Sequence, residues 1–125
     1  MRTIVADVLR ADGYDVAEVP DGGRLLVQLA RTRVSDAPPC DLLVSDVRMP
    51  VCSGLQILES LRLSHRQTPA ILMTAFGDEQ TRARAEGFGA VWFTKPFELD
   101  DLRKAVLHLL GARGGAGPAR RTTTA

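Results

Sequence analysis

Three side chains of unlike chemistry are spaced along this sequence: Asp46, Thr74 28 positions later, and Lys95 21 further on, with Pro96 directly after the lysine. Each ends or nearly ends a short apolar run: 41–46 (DLLVSD), 69–75 (PAILMTA) and 90–95 (AVWFTK). Runs of that kind suit strands of a parallel sheet buried on both faces, and in such sheets function collects at the carboxyl ends of the strands. A carboxylate, a hydroxyl and an ammonium converging on one edge suit phosphoryl transfer. The carboxylate is the nucleophile, the ammonium pairs with the product acyl phosphate, and the hydroxyl donates to one of its oxygens. A divalent cation would complete the charge balance. Taken singly, an Asp ending a strand starts a turn, a Thr fills a strand and a Lys is solvated. The order of the three, each at a strand end, carries the reading.

The elements that must position them follow from periodicity. Residues 3–12 place Ile4, Val5, Val8 and Leu9 at helical spacing, with Gly13 at the C-terminal cap. Residues 15–20 alternate like a short strand, and Asp21-Gly22-Gly23 turns into a helix carrying Leu25, Leu26, Leu29 and Ala30. A loop with Pro38-Pro39 leads to strand 41–46. Ser53 and Gly54 open a helix with Leu55, Ile57, Leu58 and Leu61 on its inner face and a polar end at Ser64-His65-Arg66. After strand 69–75, residues 77–86 (GDEQTRARAE) form a polar helix closed by Gly87, which should pack weakly and is a natural switch element. After strand 90–95, Glu98 to Leu110 is amphipathic, with Leu102, Val106, Leu109 and Leu110 inward. The tail 111–125 (GARGGAGPARRTTTA) has almost no large apolar side chains and reads as disordered. Alternating strands and helices predict an α/β fold with a doubly wound parallel sheet.

Bulk properties narrow the function classes. The 125 residues fit one domain, 1–110, with the tail beyond it. Sixteen basic residues oppose 15 acidic ones, so no global field favours nucleic acid or an anionic membrane. Cys40 and Cys52 lack metal-ligand spacing and read as ordinary thiols in a reduced, cytoplasmic setting. No apolar run approaches the roughly 18 residues of a membrane span. His65 and His108 offer no catalytic pairing, and Arg113, Arg120 and Arg121 read as solubilising charges.

In SDVRMP at 45–50, Gly54, LMTA at 72–75 and WFTKPF at 92–97, the sequence resembles the receiver domains of two-component response regulators, over about Met1 to Leu110. The resemblance implies a flavodoxin-like fold with strand order 2-1-3-4-5. It makes Asp46 the phosphorylated aspartate, Thr74 the switch hydroxyl, and Lys95 the active-site lysine followed by a cis bond to Pro96. Trp92 becomes the aromatic whose rotamer reports phosphorylation. It further implies a non-enzymatic module that takes its phosphoryl group from a histidine kinase or phosphotransfer protein and meets a downstream protein through the 77–110 face.

One part of the family pattern is missing. Such receivers begin with a buried strand ending in two acids that help to hold Mg²⁺, whereas residues 1–13 resemble the helix that follows it. By analogy the remaining metal contacts are the Asp46 carboxylate and the backbone carbonyl of Arg48, which predicts weakened Mg²⁺ binding. The gap also predicts that 15–20 either pairs directly with 41–46, or that both expose edges and the protein dimerises there. A start upstream of Met1 is the alternative. Two other functions stay open: a degenerate receiver that binds partners without phosphorylation, and a phosphatase resembling the haloacid dehalogenases. The latter needs a second Asp two places after the nucleophile, where this chain has Arg48.

Overall fold

Helix α1 (Arg2–Ala11) buries Val5, Ala6 and Leu9 along one side. It stops at a glycine cap: Gly13, at φ 94°, donates to the Arg10 carbonyl, and Tyr14 N–H bonds back to Leu9 O. Strand β1 (Asp15–Glu18) follows, and then a helical segment α2, helical at 22–25, whose first turn is capped by the Asp21 carboxylate on Arg24 N–H at 2.8 Å. Next come β2 (Leu42–Asp46), α3 (Gly54–Leu63), β3 (Ala70–Thr74), α4 (Glu79–Gly87), β4 (Val91–Thr94), α5 (Leu99–Leu110) and β5 (Arg121–Thr124). The computed structural model describes residues 2–19, 21–25, 27, 41–48, 53–63, 68–75, 79–110 and 121–124. Leu26, Leu29, Ala30, Pro38, Pro39, Cys40, Met49, Pro50, Cys52, Ser64, His65, Arg66, Arg113 and Arg120 lie outside the described residues.

All the strands run parallel, in the order β1-β5-β2-β3-β4. Side chains alternate between two apolar layers. Leu43, Ala70 and Leu72 join Leu25 and α3 residues Leu55, Ile57, Leu58 and Leu61 on one face. Leu42, Val44, Ile71 and Met73 join α1 and α5 residues Val5, Leu9, Leu102 and Val106 on the other. Burial on both faces is why β2 and β3 read as continuous apolar runs. A fully buried Leu or Ile contributes about 1.5–3 kcal/mol by leaving water. Helix α4 has only Ala85 buried, and polar contacts tie its C-terminal end: Arg84 pairs with Glu59 at 3.2 Å, and Arg62 Nε donates to Phe88 O at 2.8 Å.

Two expectations are corrected. The tail is not disordered throughout: residues 121–124 form β5, and residues 111–120 lie outside the described residues. Nor does β1 pair with β2. Strand β5 fills the position between them, paired with β1 from Asp15↔Arg121 to Glu18↔Thr124, and with β2 from Leu42↔Thr122 to Val44↔Thr124. The physical reason is backbone hydrogen bonding. A gap inside a sheet leaves two rows of N–H and C=O groups that must be satisfied, and β-branched threonines adopt extended backbone readily. A composition rule that counts large apolar side chains does not register either. The edges expected to drive dimerisation are therefore covered.

Candidate functional site

The carboxyl ends of β2, β3 and β4 form one edge, and local chemistry fixes its shape. Beyond Asp46, the last residue of β2, Val47 N–H bonds to Met73 O at 2.8 Å, which holds the chain beside β3. Gly54 N–H then closes back on Val47 O at 2.7 Å. Gly54 opens α3 directly against the strand end. A Cβ there would lie 2.5 Å from the Asp46 carbonyl oxygen and 3.1 Å from Ser45 Oγ, so no side chain fits. The helix start is secured by a reciprocal cap. Ser53 Oγ accepts from Gln56 N–H at 3.1 Å, and Gln56 Oε1 accepts from Ser53 N–H at 2.8 Å. Ser45, fully buried, donates its hydroxyl to Asp46 O at 2.8 Å.

Lys95 follows β4, and its backbone N–H bonds to Thr74 O at 2.8 Å, which ties the lysine to the end of β3. Its Nζ forms an ion pair and hydrogen bond with Asp46 Oδ1. The side chains of Lys95 and Asp46 are 22% and 27% exposed, open enough for a reactant to reach the carboxylate. The Lys95–Pro96 peptide bond is cis. Past it, Phe97 returns to the α5 side and stacks on Phe93 with ring centroids 5.2 Å apart, tilted at 55°.

The structure thus joins Asp46 and Lys95 directly, and places Thr74, 4% exposed, at the end of the strand between their elements. Arg48 lies exposed two residues past the carboxylate. Trp92 sits back from this edge: it is level with Leu72 on β3 and packs partly against the layer formed with α3 and α4. Sequence reasoning named Gly54 as a helix opener but missed its contact with the Asp46 backbone, and it missed the Ser45 hydroxyl bond. A glycine opening the helix just beyond a strand-ending acid was the available signal for the first.

Among the described residues, no group of three or more His, Cys, Asp or Glu side chains could hold a metal ion. Asp46 is a carboxylate at this edge that could meet Mg²⁺, which binds through one or two carboxylates and retains several waters. The Asp46 carboxylate fits that minimum, and the Arg48 carbonyl would be the second protein donor. A bound cation would neutralise charge on a phosphoryl group.

Residues 1–107 match the family model described as "Response regulator receiver domain". Sporulation initiation phosphotransferase F of Bacillus subtilis (strain 168) is 27% identical over 107 residues, covering 85% of this chain and 82% of that protein. Regulatory protein AtoC of Escherichia coli (strain K12) is 38% identical over 111 residues, 88% of this chain but 23% of AtoC. Transcriptional regulatory protein PdtaR of Mycobacterium tuberculosis (strain ATCC 25618 / H37Rv) is 31% identical, and the chain spans 49% of its length. Among solved structures, chemotaxis protein CheY4 from Vibrio cholerae superposes with a TM-score of 0.68 at 27% identity, covering 87% of this chain and 88% of that one. A putative response regulator from Chloroflexus aurantiacus J-10-fl gives 0.70 at 28%, covering 87% of each. The chain belongs to the response regulator receiver domain family.

Proposed function

We propose that this receiver domain is a phosphoacceptor of a two-component phosphorelay, with Asp46 as the residue modified. The observation that carries the reading is the Lys95 ammonium held on the Asp46 carboxylate at the open end of β2. An Asp46 oxygen attacks the phosphorus of a phosphohistidine on a histidine kinase or phosphotransfer protein. The new O–P bond makes an acyl phosphate while the P–N bond breaks and its electron pair stays on the imidazole. Lys95 moves from the free carboxylate to the phosphoryl oxygens, and Thr74 donates its hydroxyl to one of them. Mg²⁺, weakly held by Asp46 and the Arg48 carbonyl, supplies charge neutralisation when bound.

The modified edge acts on a downstream protein through the face made by 77–110. Helix α4, with one buried side chain against three in α5, has the less apolar packing of the two helices there to oppose a shift. Trp92 lies beneath that face and is the aromatic expected to change its environment. No helix among the described residues is long and apolar enough to cross a membrane, and we place the domain in the cytoplasm without membrane or direct nucleic-acid contact. A second reading, a receiver that binds partners without phosphorylation, is favoured by the lack of an acidic cluster among the described residues.

Intact-mass measurement after incubation with Mg²⁺ and acetyl phosphate separates the two. The phosphoacceptor reading expects a gain of one phosphoryl group that disappears in Asp46→Ala. No gain in the parent chain, with unchanged binding to a partner, leaves the second reading standing.

A further inference from the structure

Helix α4 is held at one end. Its buried residue, Ala85, belongs to the last turn, and beyond it Phe88 packs against the core layer to which α3 contributes Leu58 and Leu61. The polar ties fall in the same place: Arg84 meets Glu59 of α3, and Arg62, also of α3, donates to the Phe88 carbonyl. The backbone closes there as well. Phe88 N–H bonds to Arg84 O and Ala85 O, Gly89 N–H to Glu86 O, and Ala90 N–H to Ala85 O, with Gly89 at φ 83°. Toward the other end Glu79, Gln80, Arg82 and Ala83 are exposed. Glu79 comes five positions after Thr74, so a shift at the site reaches α4 where it is held least.

The two ties to α3 are unequal. Glu59 and Arg84 are both exposed, and exposed pairs of this kind add little. Arg62 is half-buried, and burial pushes its guanidinium down from the ordinary value. A charge drawn from water needs its donors met. The carbonyl that Arg62 meets lies just past the C-terminal end of α4, where a cation also complements the helix dipole. Helix α3 in turn starts at Gly54, hard against the Asp46 carbonyl. We infer that Arg62 is a positioning residue: it pins the C-terminal end of α4 to α3, so that α4 swings from its Glu79 end about a pivot at 87–89. The swing rests on the phosphoacceptor reading of Asp46 for its driving force, whereas the pin rests on the α3–α4 contacts alone.

Amide hydrogen exchange on the unmodified full chain tests the pin. Arg62→Met keeps an apolar stem and loses the donor, so exchange at Phe88, Gly89 and Ala90 should quicken by at least about tenfold, with Val44 and Leu72 unchanged. Arg62→Lys, which retains a donor, should recover most of that protection. Unchanged exchange at 88–90 in Arg62→Met overturns the pin, and so does an equal loss at Val44 and Leu72, which would make Arg62 a general support of the fold. The swing is read after incubation with Mg²⁺ and acetyl phosphate, with intact mass taken on the same samples and emission from Trp92, the single tryptophan. The labelled parent should change its emission and its exchange at 79–83 but not at 88–90. Arg62→Met labelled to the same extent should give a smaller emission change, restored in Arg62→Lys. Equal emission changes in parent and Arg62→Met, or altered exchange at 88–90 in the labelled parent, overturn the pivot. A parent that gains no mass sinks the phosphoacceptor reading and the swing it drives, while exchange at 88–90 decides the pin independently.

Discussion

Lys95 holds one oxygen of Asp46 directly, so its removal should affect chemistry more than folding. If Asp46 is the phosphoacceptor proposed above, Lys95→Ala takes the paired ammonium away from its product, and labelling by acetyl phosphate should slow by about 10²–10³-fold, read as the time course of intact mass. Gly54→Ala should act the other way. Its Cβ would press on the Asp46 carbonyl oxygen at 2.5 Å, a backbone atom with little freedom to yield. Overpacking of this kind costs about 1–3 kcal/mol, which thermal unfolding should register as a clear fall in Tm, with labelling of Asp46 slowed as well. The two residues differed in legibility. Asp46 and Lys95 were readable because each ends an apolar run, a local pattern. The Gly54 contact is tertiary: it depends on how α3 leaves the strand end, which composition and spacing do not encode.

Among the elements, α4 and β5 were read with opposite success for one reason. The polar sequence of α4 predicts poor anchoring, and the structure buries only Ala85, because a helix contributes packing through its own side chains. Strand β5 is placed by other segments, namely the facing edges of β1 and β2, so nothing within residues 121–124 announced it beyond three β-branched threonines. The same arrangement gives a stability prediction. Thr122→Val and Thr124→Val each replace an unpartnered hydroxyl with a methyl of the same shape, and each should stabilise the chain by about 1 kcal/mol. Urea unfolding should show a higher midpoint at an unchanged slope. A loss of stability would mean that those hydroxyls are satisfied in solution.

Across the molecule, the first and last helices are tied by charge at the end of α1. Both oxygens of Asp12 accept from Arg103 of α5, each at 2.8 Å, and Tyr14 stands in the same cleft with Asp100, Lys104 and Leu107. The hydrogen bonds and charge of Arg103 hold the Asp12 carboxyl below its ordinary value, while burial, followed by the Asp12 charge, raises the Tyr14 phenol. The signs fix a window. Asp12 contributes stability that is present above its unfolded pKa of about 3.9 and is lost as pH falls through the lower folded value. The Tyr14 contribution is present below its unfolded pKa of about 10 and is lost as pH rises through the higher folded value. Arg103, itself shifted upward, stays charged throughout and adds no pH dependence of its own. Stability from this cleft should therefore be level between those limits and fall on either side. Arg103→Ala should lower the plateau and flatten the acid limb in particular, since Asp12 then titrates near its unfolded value. Asp12→Asn should remove its share of the acid limb and, by taking a negative charge from beside Tyr14, shift the alkaline limb to lower pH. Urea midpoints measured from pH 3 to pH 11 on the three proteins would check this; an acid limb unchanged in Arg103→Ala would place the pH sensitivity elsewhere.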